Sequence, residues 1–302
     1  MLLVTGITGH SGRYFLQELI DHKYQGPIRC TVRETSDTSM LDESGLNIEK
    51  IVGDLSDEEF INRAMDNVDT IMHIFNIHHS PVIVETAINR GVSRVILVHT
   101  TGIYSNFKEA SRVYKEIEQK INNLTENELC KLKITVLRPS MIYGDLCDRN
   151  ISKFIEMIDK NIIMPVIDGG KNLIQPVNAR DLGKAFYDVL MFPEKTSGKV
   201  YDLSGDKPIQ IIEVLKLIAK YLKKQRKFIN IPIKIGVFSA KAVKLISFGK
   251  IDYVEKVQRM TEDRSYSHEL ATRDFGYDPM EIEKGIQIEV KQYLSLKRNQ
   301  GW

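Results

Sequence analysis

Apolar and polar positions in the first half of the chain alternate between two periods. Short apolar runs at 2–4, 27–32, 48–55, 68–75, 91–99 and 133–137 read as strands covered on both faces. Between them the apolar spacing becomes helical, over 13–20, from Ser56 onward, over 81–89 and over 109–122. Ser56, followed by Asp57, Glu58 and Glu59, supplies a hydroxyl cap and first-turn acids. Five strand–helix alternations predict an α/β fold built on a doubly wound parallel sheet, with any ligand beyond the C-terminal strand ends.

The second half is less regular. An amphipathic helix is expected over 151–159, short strands over 163–167 and 173–177, and a helix over 181–190. A strand at 199–203 returns to the first unit, and a helix follows at 211–222. The pattern divides the chain into residues 1–150, completed by 177–205, and a smaller interleaved C-terminal α/β lobe of 151–176 and 206–302. No linker, internal repeat or low-complexity segment separates them.

Composition changes this picture little. Of 302 residues, 42% are hydrophobic and 27% charged, ordinary values for a globular protein. Cys30, Cys130 and Cys147 are odd in number and scattered, which suggests free thiols in a reducing cytoplasm rather than a disulfide framework. A first strand starting at Leu2 leaves no room for a leader, and no apolar run is long enough to cross a bilayer, so the expected location is cytoplasmic.

Charge adds one feature. Net charge is +2, yet residues 214–251 contain no acid and ten bases: Lys216, Lys220, Lys223, Lys224, Arg226, Lys227, Lys234, Lys241, Lys244 and Lys250. The default reading is a solvated helix face whose apolar residues turn into the lobe's own core. Two alternatives are steering of an anionic substrate and peripheral contact with an anionic membrane through an amphipathic helix pair at 233–248. Nucleic acid is not an expected partner, because no recognition motif accompanies the charge.

The candidate chemistry begins at the first turn. Gly6, Gly9 and Gly12 stand three apart between a strand and a helix, the context a dinucleotide site needs. Gly6 permits the turn, Gly9 the approach of a pyrophosphate, and Gly12 close helix–strand packing. Thr8, His10 and Ser11 complete the loop, and the helix N-terminus presents N–H groups and a positive dipole end to phosphates. The plainer alternative is a structural turn. At the end of the second strand Arg33, helped by Arg13 beyond the glycines, suits the 2′-phosphate of NADP, whereas Glu34 argues for NAD. Both arginines also read as solvated surface groups. His78 and His79 are adjacent, point apart and lack a neighbouring Cys, Asp or Glu, so no metal is expected there.

Several motifs together resemble one family. Thr5-Gly6-x-x-Gly9-x-x-Gly12, Gly53-Asp54-Leu55, Thr100-x-x-x-Tyr104 and Leu137-Arg138-Pro139-x-x-Ile142-Tyr143-Gly144 are similar to landmarks of the extended short-chain dehydrogenase/reductases. Later segments around Asp181, 200–205 and 274–279 continue the match in order. The resemblance points to the NAD(P)-dependent nucleotide-sugar epimerase/dehydratase branch. It implies a Rossmann domain with a lobe that closes over a sugar nucleotide, and it is compatible with a homodimer. It further implies that Asp54 bonds the adenine amino group, that Leu55 packs beside the ring, and that Phe75 and Asn76 flank the nicotinamide. Asp54 also reads as a turn cap. Arg259 lies where the branch places a phosphate-binding arginine, the alternative being a surface salt bridge.

Catalysis in that family rests on a tyrosine, a lysine four residues later, and a serine or threonine at the end of the fifth strand. Thr100 fits the last position. Tyr114 is the available tyrosine, but four residues on stands Glu118. A carboxylate beside a phenol disfavours its ionisation. Such departures resemble the atypical branch, which includes weakly active and non-catalytic dinucleotide binders. Two functions therefore stand: an NAD(P)-dependent oxidoreductase or epimerase acting on a nucleotide sugar through Thr100 and Tyr114, and an NADP-binding sensor or scaffold.

Overall fold

Three strands whose every residue is buried, β1 (Leu2–Thr5), β2 (Ile28–Val32) and, further along the chain, β5 (Arg94–Val98), are interior strands of a parallel sheet. The computed structural model describes residues 1–126, 131–247, 250 and 253–299. The sheet is completed by β3 (Ile48–Val52), β4 (Thr70–His73), β6 (Lys133–Pro139) and a returning strand at Val200–Leu203. Between β6 and that strand come β7 (Ile142–Tyr143), β8 (Ile163–Ile167), β9 (Leu173–Ile174) and β10 (Val177–Asn178), so Val200–Leu203 is β11. All pairings in the seven-stranded sheet are parallel, in the order β11-β6-β5-β4-β1-β2-β3. The order reverses between β1 and β4, which opens a crevice at their C-terminal ends. This is a Rossmann α/β fold.

Helices cover both faces. In chain order they are α1 (Gly12–Asp21), α2 (Ser39–Asp42), α3 (Glu58–Ala64), α4 (Ser80–Asn89), α5 (Lys108–Thr125), α6 (Ile151–Lys160) and α7 (Ala179–Met191). α8 (Pro193–Thr196) and α9 (Ile211–Tyr221) follow, then α10 (Ile233–Ile246), α11 (Val254–Gln258), α12 (Glu269–Phe275) and α13 (Ile282–Asn299). α1 and α7 pack on one side, with Phe15 and Phe186 edge to face at 6.4 Å, and α3, α4 and α5 on the other. Two arginines in the buried strands donate to carbonyls at helix ends. Arg29 donates to Ala64 and Asp66, and Arg94 to Val189 and Leu190. Each places a cation at the negative end of a helix dipole, which offsets the cost of burying it.

A third core, around Ile155, Val166, Val214, Ile218 and Ile286, joins α6, α9 and α13 to β8. Here the chain departs from the sequence expectation in three places. The strand expected over 173–177 breaks at Gln175–Pro176. β9 pairs antiparallel with β12 (Ile209–Gln210), and β10 pairs parallel with β7. Pro176 lacks the N–H a continuous ladder needs, and the Gln175 side chain instead bonds Gly205 O and Tyr266 N. A strand not read in the sequence, β13 (Lys227–Ile231), pairs parallel with β8. Within the basic stretch, the helix pair expected over 233–248 is one helix, α10, whose apolar side chains are mostly exposed rather than turned into the core. Phe248, Gly249 and Ile251, from the end of that stretch, lie outside the described residues, as does Cys130. Among the described residues no helix is long and apolar enough to cross a membrane.

Candidate functional site

The turn after β1 can be built only with glycine at two points. Gly6 adopts φ +77°, and a Cβ there would stand 2.9 Å from Phe75 N. A Cβ on Gly12 would lie 2.1 Å from Gly6 O, so α1 reaches the strand end only because no side chain intervenes. Gly9 N closes the turn on Gly6 O at 3.0 Å. Beneath it Thr5 Oγ1 and His73 Nδ1 share a 2.7 Å hydrogen bond. Burial pulls the His73 imidazole down to about 3, so the ring is neutral at physiological pH.

This turn forms one wall of a cavity of about 730 Å³, through Gly6, Thr8, Gly9, His10 and Ser11. The second wall comes from the ends of β2 and β3. It contains Arg33, whose backbone N donates to Ser36 Oγ, together with Ser36, Asp54, Leu55 and Ser56. Asp54 Oδ1 accepts from Ser56 N and Ser56 Oγ, both at 2.8 Å, and these bonds hold its carboxyl below the usual carboxylate range. Asp54 is thus both a turn cap and a cavity residue. Phe75 and Asn76 line the cavity beyond β4, where Asn76 Oδ1 accepts from His78 N. His79 lines it too; its Nδ1 donates to Leu55 O at 3.0 Å, and its ring lies 5.3 Å from that of Phe75. No group of three His, Cys, Asp or Glu side chains that could hold a metal occurs among the described residues.

The third wall brings Thr100 and Tyr114 together. Thr100 ends the segment after β5 and accepts from Gly102 N at 3.0 Å. A Cβ on Gly102 would meet Tyr114 Cε2 at 2.9 Å and Thr100 Oγ1 at 3.3 Å, so the phenol ring, the hydroxyl and the turn converge. One turn further along α5, Glu118 is committed elsewhere. Its Oε1 accepts from Arg138 Nε and His99 Nδ1, both at 3.0 Å, and its Oε2 from Arg138 Nη2. Burial raises the Glu118 carboxyl, but the bonds from His99 and Arg138 outweigh it and hold it below its ordinary value. The network continues from His99 Nε2 to Ser80 Oγ, and from Arg138 Nη1 to Tyr104 OH, which reaches Asp202. No lysine is among the described residues that line the cavity.

Three residues expected at the site lie outside this lining. Gly12 sits under the loop. Arg13 donates from Nη2 to Asp145 Oδ2 at 2.5 Å, and Tyr14 OH and His10 Nε2 engage the same carboxylate. Gly144, Asp145 and Leu146 are all in the left-handed region, at φ +116°, +56° and +65°. Asp145 is held there by the end of the glycine loop, and Leu146 N by Glu289 Oε1. Arg259 begins a turn at Arg259–Thr261, close enough to Arg264 that its charge adds to burial in pulling Arg264 down. Its Nε is buried without a hydrogen-bond partner. The sequence reading missed Ser36, Ser56, His79 and His99 as cavity residues. Only their positions at strand ends could have marked them.

The chain is 28% identical over 250 residues to NADH dehydrogenase [ubiquinone] 1 alpha subcomplex subunit 9, mitochondrial, of Dictyostelium discoideum. That match covers 76% of this chain and 66% of the relative, just under two thirds of its length. Among solved structures, the UDP-glucose 4-epimerase of Thermotoga maritima with UDP-glucose superposes with a TM-score of 0.74 at 16% identity, covering 98% of this chain and 99% of that one. The dTDP-glucose 4,6-dehydratase of Streptomyces venezuelae with NAD bound also gives 0.74, at 17% identity and 98% coverage of both chains. These structures share the fold, and the resemblance to extended and atypical short-chain dehydrogenase/reductases holds across the chain. With its family profile matched over residues 1–292, the chain belongs to the NmrA-like family.

Proposed function

We propose that the chain holds a nicotinamide dinucleotide in the cavity, NADP in preference to NAD, and works as a sensor or scaffold that responds to the bound cofactor. The cradle fits the group: Gly6 and Gly12 leave no room for a Cβ, and its volume suits a ligand of that size. Thr8, Gly9, His10 and Ser11 would hold the pyrophosphate, Arg33 with Ser36 the 2′-phosphate, Asp54 and Leu55 the adenine, and Phe75 and Asn76 the nicotinamide side. When bound, the cofactor would supply hydride chemistry. The observation that carries the sensor reading is the Glu118–Arg138–His99 network, which fills the helix position where a catalytic lysine would act on Tyr114. The NADH dehydrogenase alpha subcomplex subunit among the relatives supports a role in a larger assembly.

A second reading is favoured by the meeting of Thr100 and Tyr114 at Gly102. There the protein is an oxidoreductase or epimerase of a nucleotide sugar, with Thr100 orienting a sugar hydroxyl, Tyr114 exchanging its proton, and Arg259 binding the nucleotide phosphate. Residues 1–150 with 177–205 would form the cofactor unit, and 151–176 with 206–302 the substrate lobe. A reducing compartment, such as the cytoplasm, suits the free thiols of Cys30 and Cys147.

One experiment separates the readings. Calorimetric titration with NADPH and NADH is followed by incubation with UDP-glucose and dTDP-glucose, with chromatographic product analysis. Tight NADPH binding without product supports the sensor. Product formed by the wild type and lost in Tyr114→Phe supports the enzyme, and absence of dinucleotide binding overturns both.

A further inference from the structure

Helix α10 is built inside out. Its buried positions are the small ones, Gly236 and Ala240. Its large apolar side chains face away, with Ile235 55%, Phe238 74%, Leu245 80% and Ile246 77% exposed. At about 100° per residue, Phe238 and Leu245 stand opposite Gly236 and Ala240, with Ile235 and Ile246 beside them. Gly236 rests on Ile167 of β8 and Val257 of α11. Ile167 shares a sheet face with Ile163 and, through the parallel register, with Ile229, which are 53% and 46% exposed. Large apolar side chains are thus exposed both on the helix and on the β8–β13 ribbon it packs against. Exposed apolar groups in this number mark an interaction site.

Charge selects the occupant. Residues 214–251 carry no acid, and Lys234 and Lys241 belong to the helix itself, with Lys227 on the ribbon. We infer that this face docks on an anionic phospholipid bilayer, with α10 lying in the interface plane. Phe238, Leu245 and Ile246 enter the acyl boundary while the lysine ammonium groups reach headgroup phosphates along their flexible stems. Pairing with a second copy would set lysines against lysines, which like-charge repulsion opposes.

The test is flotation of the full chain with vesicles of phosphatidylcholine alone and with added phosphatidylglycerol, at low and raised salt. Wild type is expected to float with the anionic vesicles only, and less at raised salt. Phe238→Ser with Leu245→Ser, and separately Lys234→Glu with Lys241→Glu, should each weaken binding about tenfold. These side chains are exposed, so the melting temperature and circular dichroism should stay at wild-type values and show that the variants fold. Wild type left in the lipid-free fraction, or flotation unchanged in both variants, would overturn the inference. So would lipid-free self-association that Phe238→Ser abolishes, which would reassign the face to a second copy.

Discussion

Arg138 grips Glu118 from two sides: its Nε meets Oε1 at 3.0 Å and its Nη2 meets Oε2, with both side chains only 14% exposed. A two-pronged pair of this kind is strong when complete and costly when broken. We expect Glu118→Ala to lower stability by ~2–4 kcal/mol in urea denaturation, because Arg138 and His99 lose their shared acceptor inside the fold.

Restoring the family's lysine should not restore catalysis. Glu118→Lys would set an ammonium against the Arg138 guanidinium, and we expect it to lower stability at least as much as Glu118→Ala, with no sugar-nucleotide product by chromatography. Product formation in this variant would show that the network merely occupies a working site.

How far the sequence announced these features differs from place to place. The glycine turn and the strands at β1, β2 and β5 were legible, because strict spacing and buried apolar runs leave few alternatives. Glu118 was visible only as an anomaly. Its partners, His99 and Arg138, come from two different strand ends, and no local period links them to α5. Asp145 was hidden for the same reason: it is held by Arg13 and Tyr14, which lie 132 and 131 positions earlier in the chain. α10 was misread because amphipathic spacing shows that a helix has two faces but not which one turns outward. Gly236 and Ala240 decide that by their size.

Arg33 should discriminate between cofactors. In Arg33→Ala, calorimetric titration should show NADPH affinity reduced about tenfold, the scale of one charge-assisted phosphate contact, with NADH affinity nearly unchanged. Equal losses for both would remove Arg33 from the 2′-phosphate.

The glycine loop should tolerate no side chain at Gly12. A Cβ 2.1 Å from Gly6 O requires backbone movement of α1 or of the turn. Gly12→Ala is expected to lower the melting temperature by several degrees, and to abolish dinucleotide binding at concentrations that saturate the wild type.

Glu289 gives a pH dependence. Burial, with Asp148 beside it, pushes its carboxyl up to about 9, against an ordinary value of 4.5. The unfolded chain therefore loses this proton at a lower pH than the folded one. The contribution to stability is whole below about pH 4.5 and is lost as pH rises through about 9. Glu289→Gln resembles the protonated acid and can keep the bond to Leu146 N. Its melting temperature should exceed that of wild type by a few degrees at about pH 8, with no gain at about pH 4.5.

The turn at Gly144, Asp145 and Leu146 resembles a sprung hasp. Non-glycine residues at φ +56° and +65° would open to an extended path if released, and two fastenings prevent it. One is the His10–Arg13–Tyr14 grip on Asp145, and the other is Glu289 of α13 on Leu146 N. The first and last helices of the chain are thereby latched to the same three residues. Loss of the Glu289 bond would leave this turn fastened only through the loop and helix that follow β1.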